Sequence, residues 1–160
     1  MARKKSPKKS AKKSAKKSIR SAKRAPKKKG AKKAAAPSLD SLARKIVRLT
    51  QKPDFSPKDL STLYTEDCTS TEASGQMALG LDGLEDKLKQ WEQMQSGTIW
   101  KATNVWVGPS SICIEWDATV TTRDGRTVKL PEIAVHEIKN GKIQKERFYY
   151  NPMALAPPQS

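Results

Sequence analysis

The sequence predicts an α+β domain carried behind a basic extension. Three observations lead there. Stretches with apolar residues at helical spacing come first, stretches rich in β-branched and aromatic residues follow, and the positive charge is confined to one end. Seventeen of the 32 Lys and Arg residues, and none of the 16 Asp and Glu, fall in the first 36 positions. The other 124 residues hold fifteen basic against sixteen acidic residues, with all four Trp, all three Tyr and both Phe. The two parts therefore differ by net charges of +17 and −1.

Residues 1–36 are almost entirely Lys, Ser, Ala, Arg and Pro, with Met1 and Ile19 as the large apolar exceptions. Such a segment buries too little apolar area to offset the entropy of ordering, so a disordered tail is expected. It repeats Ser6-Pro7-Lys8-Lys9, Ser10-Ala11-Lys12-Lys13 and Ser14-Ala15-Lys16-Lys17, and Lys27, Lys28, Lys29, Lys32 and Lys33 continue the theme. Paired cations at that spacing suit a phosphate backbone, because each neutralised phosphate releases a condensed counterion. The tail has no aromatic residue on which single-stranded bases could stack, which favours duplex DNA without sequence preference. RNA and acidic membrane surfaces share the same attraction. The repeats resemble the lysine-rich tails of linker histones and bacterial histone-like proteins, a resemblance that implies DNA tethering in a nucleoid- or chromatin-associated cytoplasmic protein. No apolar leader and no membrane-spanning run is apparent. Cys68 and Cys113 lack metal-type spacing and read as two free core thiols.

Beyond the tail, a domain over residues 37–152 is expected, followed by a flexible C-terminus at 153–160. Ser38 caps a first helix whose stripe is Leu39, Leu42, Ile46 and Leu49. Pro53 breaks the chain, and Ser56 with Pro57 opens a second helix carrying Leu60, Leu63 and Tyr64 inward. A short strand is expected near Cys68–Glu72. A third helix follows with Leu81, Leu84, Leu88 and Trp91 on one stripe, stopping by Gly97. Four strands then read as 99–107, 111–122, 127–139 and 142–150. Asp124-Gly125 and Asn140-Gly141 mark hairpin turns between the last three. The order α-α-β-α-β-β-β-β implies helices packed on one face of a strongly bent antiparallel sheet.

This layout resembles the SnoaL-like branch of the nuclear transport factor 2-like superfamily. The carrying residues are Tyr64-Thr65-Glu66-Asp67, then Glu72, then Gly80-Leu81-Asp82-Gly83-Leu84 with Lys87 and Trp91. His136-Glu137-Ile138-Lys139-Asn140-Gly141-Lys142-Ile143 and Glu146-Arg147-Phe148-Tyr149-Tyr150 complete the pattern. The resemblance implies a cone-shaped bent sheet with a pocket at its open end, and a homodimer through the sheet. It does not choose a function, since relatives include cyclases, isomerases, dehydratases and non-catalytic binding modules.

Strand parity places Glu132, Ala134, His136 and Ile138 on one face, and Gln144, Glu146, Phe148 and Tyr150 on one face of the next strand. Comparison with the isomerase branch implies that these faces line the cone and puts Glu72 at the position of a catalytic carboxylate. Glu72 and His136 are therefore the candidate catalytic residues, with Trp91, Glu132, Glu146, Phe148 and Tyr150 as pocket lining. A carboxylate in an apolar cone acquires a raised pKa and can act as a base, His136 can move protons, and Tyr150 can donate to a developing oxyanion. Convergence of the carboxylates should raise one another's pKa values. Two departures from the isomerase pattern stand out: the first helix has no Tyr, and Ala134 falls where that branch carries a second carboxyl group. The chain's single His argues against a metal centre, and no cofactor motif is present.

Two functions follow from different classes. One is a small-molecule-binding or interaction module tethered to DNA by the tail, which the incomplete isomerase set favours. The other is a cofactor-independent acid–base enzyme of cyclase, isomerase or hydratase type, acting on a small apolar substrate. A direct Glu72–His136 hydrogen bond would support the enzyme, and a cavity plugged by Trp91, Trp116 or Phe148 would support the module.

Overall fold

The computed structural model describes residues 38–156. The tail and its lysines lie outside the described residues. Helix α1 (Leu39–Thr50) begins where Ser38 Oγ accepts from Ser41 N at 3.2 Å. Helix α2 (Pro57–Leu63) begins where Asp59 accepts from the Ser56 backbone N at 3.0 Å and from its hydroxyl at 3.1 Å. These contacts satisfy donors that a helix start leaves open. Strand β1 (Tyr64–Thr71) follows directly, and a short strand β2 (Met77–Leu79) folds back on it before helix α3 (Gly80–Met94).

The remaining strands are β3 (Gln95–Val107), β4 (Ser111–Thr122), β5 (Thr127–Lys139) and β6 (Lys142–Tyr149). They form one sheet in the order β2-β1-β6-β5-β4-β3. The β5–β6 turn places Asn140 and Gly141 both at positive φ, 53° and 75°, as a tight two-residue hairpin requires. Along β4 every second residue is buried, including Ile112, Ile114, Trp116, Ala118 and Val120. That alternation presses one sheet face onto the helices.

The α+β architecture with three helices against a bent sheet is the expected one, with three refinements, the first being the short strand β2, which the expected order lacked. The sheet is mixed, because β1 lies parallel to β6. Hairpin signals speak only for strands adjacent in sequence, and β1 reaches β6 across the whole chain. The early strand also begins at Tyr64, immediately after α2, which removes Tyr64 from the helix and points it into the cone.

Leu42, Ala43 and Ile46 from α1 join Leu63, Ile112, Ile114, Trp116, Ala134 and Ile143 in the main core. Each fully buried Leu or Ile contributes about 1.5–3 kcal/mol of transfer free energy. A second cluster around Ala118, Val120 and Leu130 recruits Trp91, Trp100, Tyr150 and Leu155. Of the C-terminal segment expected to be flexible from residue 153, the described part ends at Ala156. Pro152–Leu155 forms a 3₁₀ turn, Leu155 packs inward, and Arg126 Nη1 donates to Ala156 O at 3.1 Å. Apolar contact supplied by Ala154 and Leu155 outweighs the loop-like Pro-rich composition there. Cys113 is likewise not a core thiol: it is half-buried on the outer sheet face, whereas Cys68 is buried.

Candidate functional site

Between α3, the start of β3 and the inner face of the sheet lies an open cavity of about 1230 Å³. Aromatic side chains form part of its walls. Trp100 sits between Trp91 and Trp116, with ring centroids 6.2 Å and 5.7 Å apart, and Phe148 and Tyr150 face the same space. Trp91 and Phe148 thus line the cavity without plugging it.

Polar residues gather at its floor because β5 and β6 present alternate side chains inward. His136 lies directly opposite Glu146 across the ladder, and Glu132 lies opposite Trp116. All three are buried. His136 Nδ1 stands 3.4 Å from Glu146 Oε2, and neither imidazole nitrogen has a well-formed hydrogen bond. Tyr64 OH donates to the same Glu146 oxygen at 2.7 Å. Glu72, one residue past β1, accepts from Tyr150 OH at 2.7 Å and pairs with Lys87 Nζ at 2.5 Å.

Lys87 ties the floor together. Its ammonium donates to Ser70 Oγ at 2.8 Å, stands 3.7 Å from Glu146 Oε1 and lies 4.0 Å from the centre of the Phe148 ring. It reaches inward because α3 carries it on the stripe that includes Leu84 and Trp91, three residues after one and four before the other.

The electrostatics separate the buried carboxyl groups. Burial pushes Glu132 up to about 8, the nearby Glu72 and Glu146 add to the rise, and Lys87 only partly opposes it. Glu132 makes no ion pair among the described residues. Burial also works against ionising Glu146, yet His136, Lys87 and Ser70 around it bring it down to about 2. The expectation that all the carboxylates raise one another is therefore corrected: Glu132 rises and Glu146 falls, because only Glu146 has a cation and donors to balance its burial. Tyr150 is raised by burial and then by its bond to Glu72. Tyr64 is raised by burial and then by Glu146.

Every candidate from the sequence, namely Glu72, Trp91, Glu132, His136, Glu146, Phe148 and Tyr150, lines this one cavity. Three details differ from expectation. Glu72 bonds to Tyr150 and Lys87 and not to His136. Tyr150 spends its proton on Glu72, so the oxyanion donor role expected of it passes elsewhere. A bulge between Ile138 and Glu137 opposite Ile143–Lys145 turns Gln144 off the inner face, where its amide donates to Asp67 at 3.1 Å. Lys87, Tyr64 and Ser70 were not foreseen as site residues. A charged residue set into the inward stripe of α3 was the signal for Lys87. Tyr64 supplies a buried phenol although α1 has none, and Glu132 supplies a carboxyl one pleat from Ala134. Among the described residues no group of three or more His, Cys, Asp or Glu is arranged to hold a metal ion. None of the described helices is long and apolar enough to cross a membrane.

Solved structures share this architecture at low sequence identity. A hypothetical protein of Catenulispora acidiphila with a ketosteroid isomerase-like fold, in complex with trimethylamine, matches with a TM-score of 0.65 and 14% identity, covering 74% of this chain and 91% of that one. A candidate SnoaL-like polyketide cyclase of Mesorhizobium loti matches with a TM-score of 0.60 and 22% identity over 71% of this chain and 100% of that one. Another such candidate, from Jannaschia, matches with a TM-score of 0.64 and 15% identity over 73% and 93%. No curated protein matches the sequence significantly. The family model for the SnoaL-like domain matches residues 38–150, which takes in both the cone and the residues of its floor, and the chain belongs to that family.

Proposed function

We propose that the protein is a cofactor-independent acid–base enzyme of cyclase, isomerase or hydratase type, acting on a small and largely apolar carbonyl compound. One observation carries this reading. Glu132 is a buried carboxyl group that burial pushes up to about 8, and it faces an open cavity beside Glu72, which Lys87 pairs. Groups of opposite protonation state on one cavity are what acid–base chemistry near neutral pH requires. In the proposed step the Glu72 carboxylate takes a proton from the carbon next to the carbonyl. The C–H electron pair moves into a new C=C bond, and the carbonyl oxygen takes its proton from Glu132. For isomerisation Glu72 returns its proton to carbon while the enol O–H gives its proton back to Glu132 and the C=O bond re-forms. For ring closure the enol carbon bonds to a second carbonyl carbon, whose oxygen takes the proton from Glu72, and the enol O–H again reprotonates Glu132. The naming of two similar structures as candidate polyketide cyclases supports this choice over the binding module.

The test is deuterium uptake from D2O into a panel of cyclic ketones and β-diketones, followed by NMR. Glu132→Gln and Glu72→Gln should each slow exchange by about 10²–10⁴-fold. Undiminished exchange in Glu132→Gln, or none in the wild type with any ketone that binds, would leave the binding module as the better reading.

For residues 1–36 the proposed role is sequence-independent attachment to duplex DNA, supported by the +17 charge of that segment. Retention of residues 37–160 alone on duplex DNA as tightly as the whole chain would exclude it. The outer sheet face exposes Ile99, Trp106, Ile133 and Tyr149, which supports a homodimer through that face. Sedimentation of the chain as a monomer would exclude that.

A further inference from the structure

We infer that Lys87 is the positioning residue of the site: it bridges Glu72 and Glu146 so that the two carboxyl groups stand side by side, and it leaves Glu132 as the floor carboxyl group without an ion-pair partner. This rests on the acid–base reading for its use but not for its test.

The geometry singles out Lys87. An ammonium has three N–H donors and no acceptor. Here three oxygens surround it, at 2.5 Å on Glu72, 2.8 Å on Ser70 and 3.7 Å on Glu146. The Phe148 ring covers a further side at 4.0 Å. Two of the Lys87 donors are engaged at hydrogen-bond distance and the third side faces Glu146 at ion-pair distance, so two of the protein's own carboxyl groups stand around its charge. Lys87 also lacks the free, unpaired amine that Schiff-base chemistry needs. Its charge is spent on the protein's own carboxylates.

The consequence follows from counting the groups on each element. From β1 and its end, Tyr64, Cys68 and Glu72 face the floor. From β5 come Glu132 and His136, and from β6 come Glu146 and Tyr150. Lys87 is the contribution of α3. Without it, Glu72 and Glu146 would share one partly dry space with His136 as the nearest basic group, and like charges in such a space do not both ionise. With it, two negative charges are bridged, and their residual field falls on Glu132, which has no cation of its own. The floor then carries a protonated donor beside bridged carboxylates, with no uncommitted positive charge. A floor of that kind selects a neutral substrate and disfavours an anionic one.

The experiment reads the carboxyl groups directly. Glu side-chain carboxyl carbons are observed by ¹³C NMR from pH 3 to 10 in the full chain and in Lys87→Met, with no substrate present. In the wild type one floor carboxyl, assigned by Glu132→Gln, should titrate in the alkaline range, while those of Glu72 and Glu146 stay ionised at pH 7. In Lys87→Met the carboxyl of Glu72 should move up by at least one pH unit, and Lys87→Arg should restore it in part. An unchanged Glu72 curve in folded Lys87→Met overturns the inference. Should Lys87→Met not fold, the wild type still decides the matter. The Lys87 ammonium signal should be protected from exchange and should shift as Glu132 titrates, and an unprotected signal with no such shift overturns the inference. Failure of this titration would leave the deuterium-exchange result standing, and failure of deuterium exchange would leave the titration standing.

Discussion

Strands β5 and β6 hold two acid–base pairs one residue apart that live in different physical worlds. Glu146 and His136 meet on the inner face, 2% and 4% exposed. Glu137 and Arg147 meet on the outer face at 2.7 Å, 43% and 44% exposed. The outer pair is the shorter and better formed, yet water screens it, and such pairs contribute about 0–1 kcal/mol. The inner pair is longer, but water does not reach its members, and Glu146 is balanced by Lys87, Tyr64 and Ser70. Contact distance is thus a poor guide to importance in this molecule, and burial decides.

The comparison can be broken most sharply at Glu146. Glu146→Ala strands Lys87 beside Glu72, leaves Tyr64 without its acceptor and removes the carboxylate nearest His136. A loss of about 3–5 kcal/mol is expected in urea unfolding. A loss under about 1 kcal/mol would mean the floor is wetter than its burial suggests.

The apolar version of the same contrast comes next. Ile114 is fully buried on the inner face of β4, whereas Ile133 is 40% exposed on the outer face of β5. Ile114→Ala should cost about 3 kcal/mol, and Ile133→Ala less than about 1 kcal/mol in dilute solution. A cost for Ile133→Ala that grows with protein concentration would indicate a second copy covering that face.

Proton linkage gives an effect whose sign is fixed. Glu132 is raised from 4.5 to about 8 in the folded state, so the folded chain binds this proton more tightly than the unfolded one. Stability from this group is fully present below pH 4.5 and is lost as pH rises towards 8. Glu146 is depressed from 4.5 to about 2, so its contribution is present above 4.5 and is lost as pH falls through 2. Unfolding free energy should therefore decline between pH 5 and 8 in the wild type, and Glu132→Gln should remove most of that decline. A decline that persists in Glu132→Gln would assign it to another group.

The smallest effect belongs to the outer pair. Arg147→Ala should change stability by less than about 1 kcal/mol, and less again at 1 M salt. A loss as large as that of Glu146→Ala would show that the outer face is buried in solution.

Much of this was legible before any coordinates. Helix starts are written in single residues, Ser38 and Ser56 with Pro57, because capping is a contact over three or four positions. The β5 pattern Leu130, Glu132, Ala134, His136 could be read by parity, because a strand without irregularity has a side-chain period of two. The same rule failed at Gln144, where one bulged residue reverses the alternation and leaves no mark in composition. The helical stripe was read as Leu81, Leu84, Leu88 and Trp91 without Lys87, because a lysine reads as a solvated edge until its acceptors are known.

By itself, then, the sequence determined the order of the three helices and of five of the six strands, the split between basic tail and neutral domain, and the shared strand faces of Glu132 with His136 and of Glu146 with Tyr150. These depend on spacing, charge and turn chemistry, which act over a few residues. Only the tertiary structure decided that β1 lies parallel to β6, that Lys87 bridges Glu72 and Glu146, and that Glu132 alone is left without a cation. Those outcomes join residues as far apart as Tyr64 and Glu146. Which buried charge finds a partner depends on distances set by the packing of α3 against the sheet, and no local rule contains them.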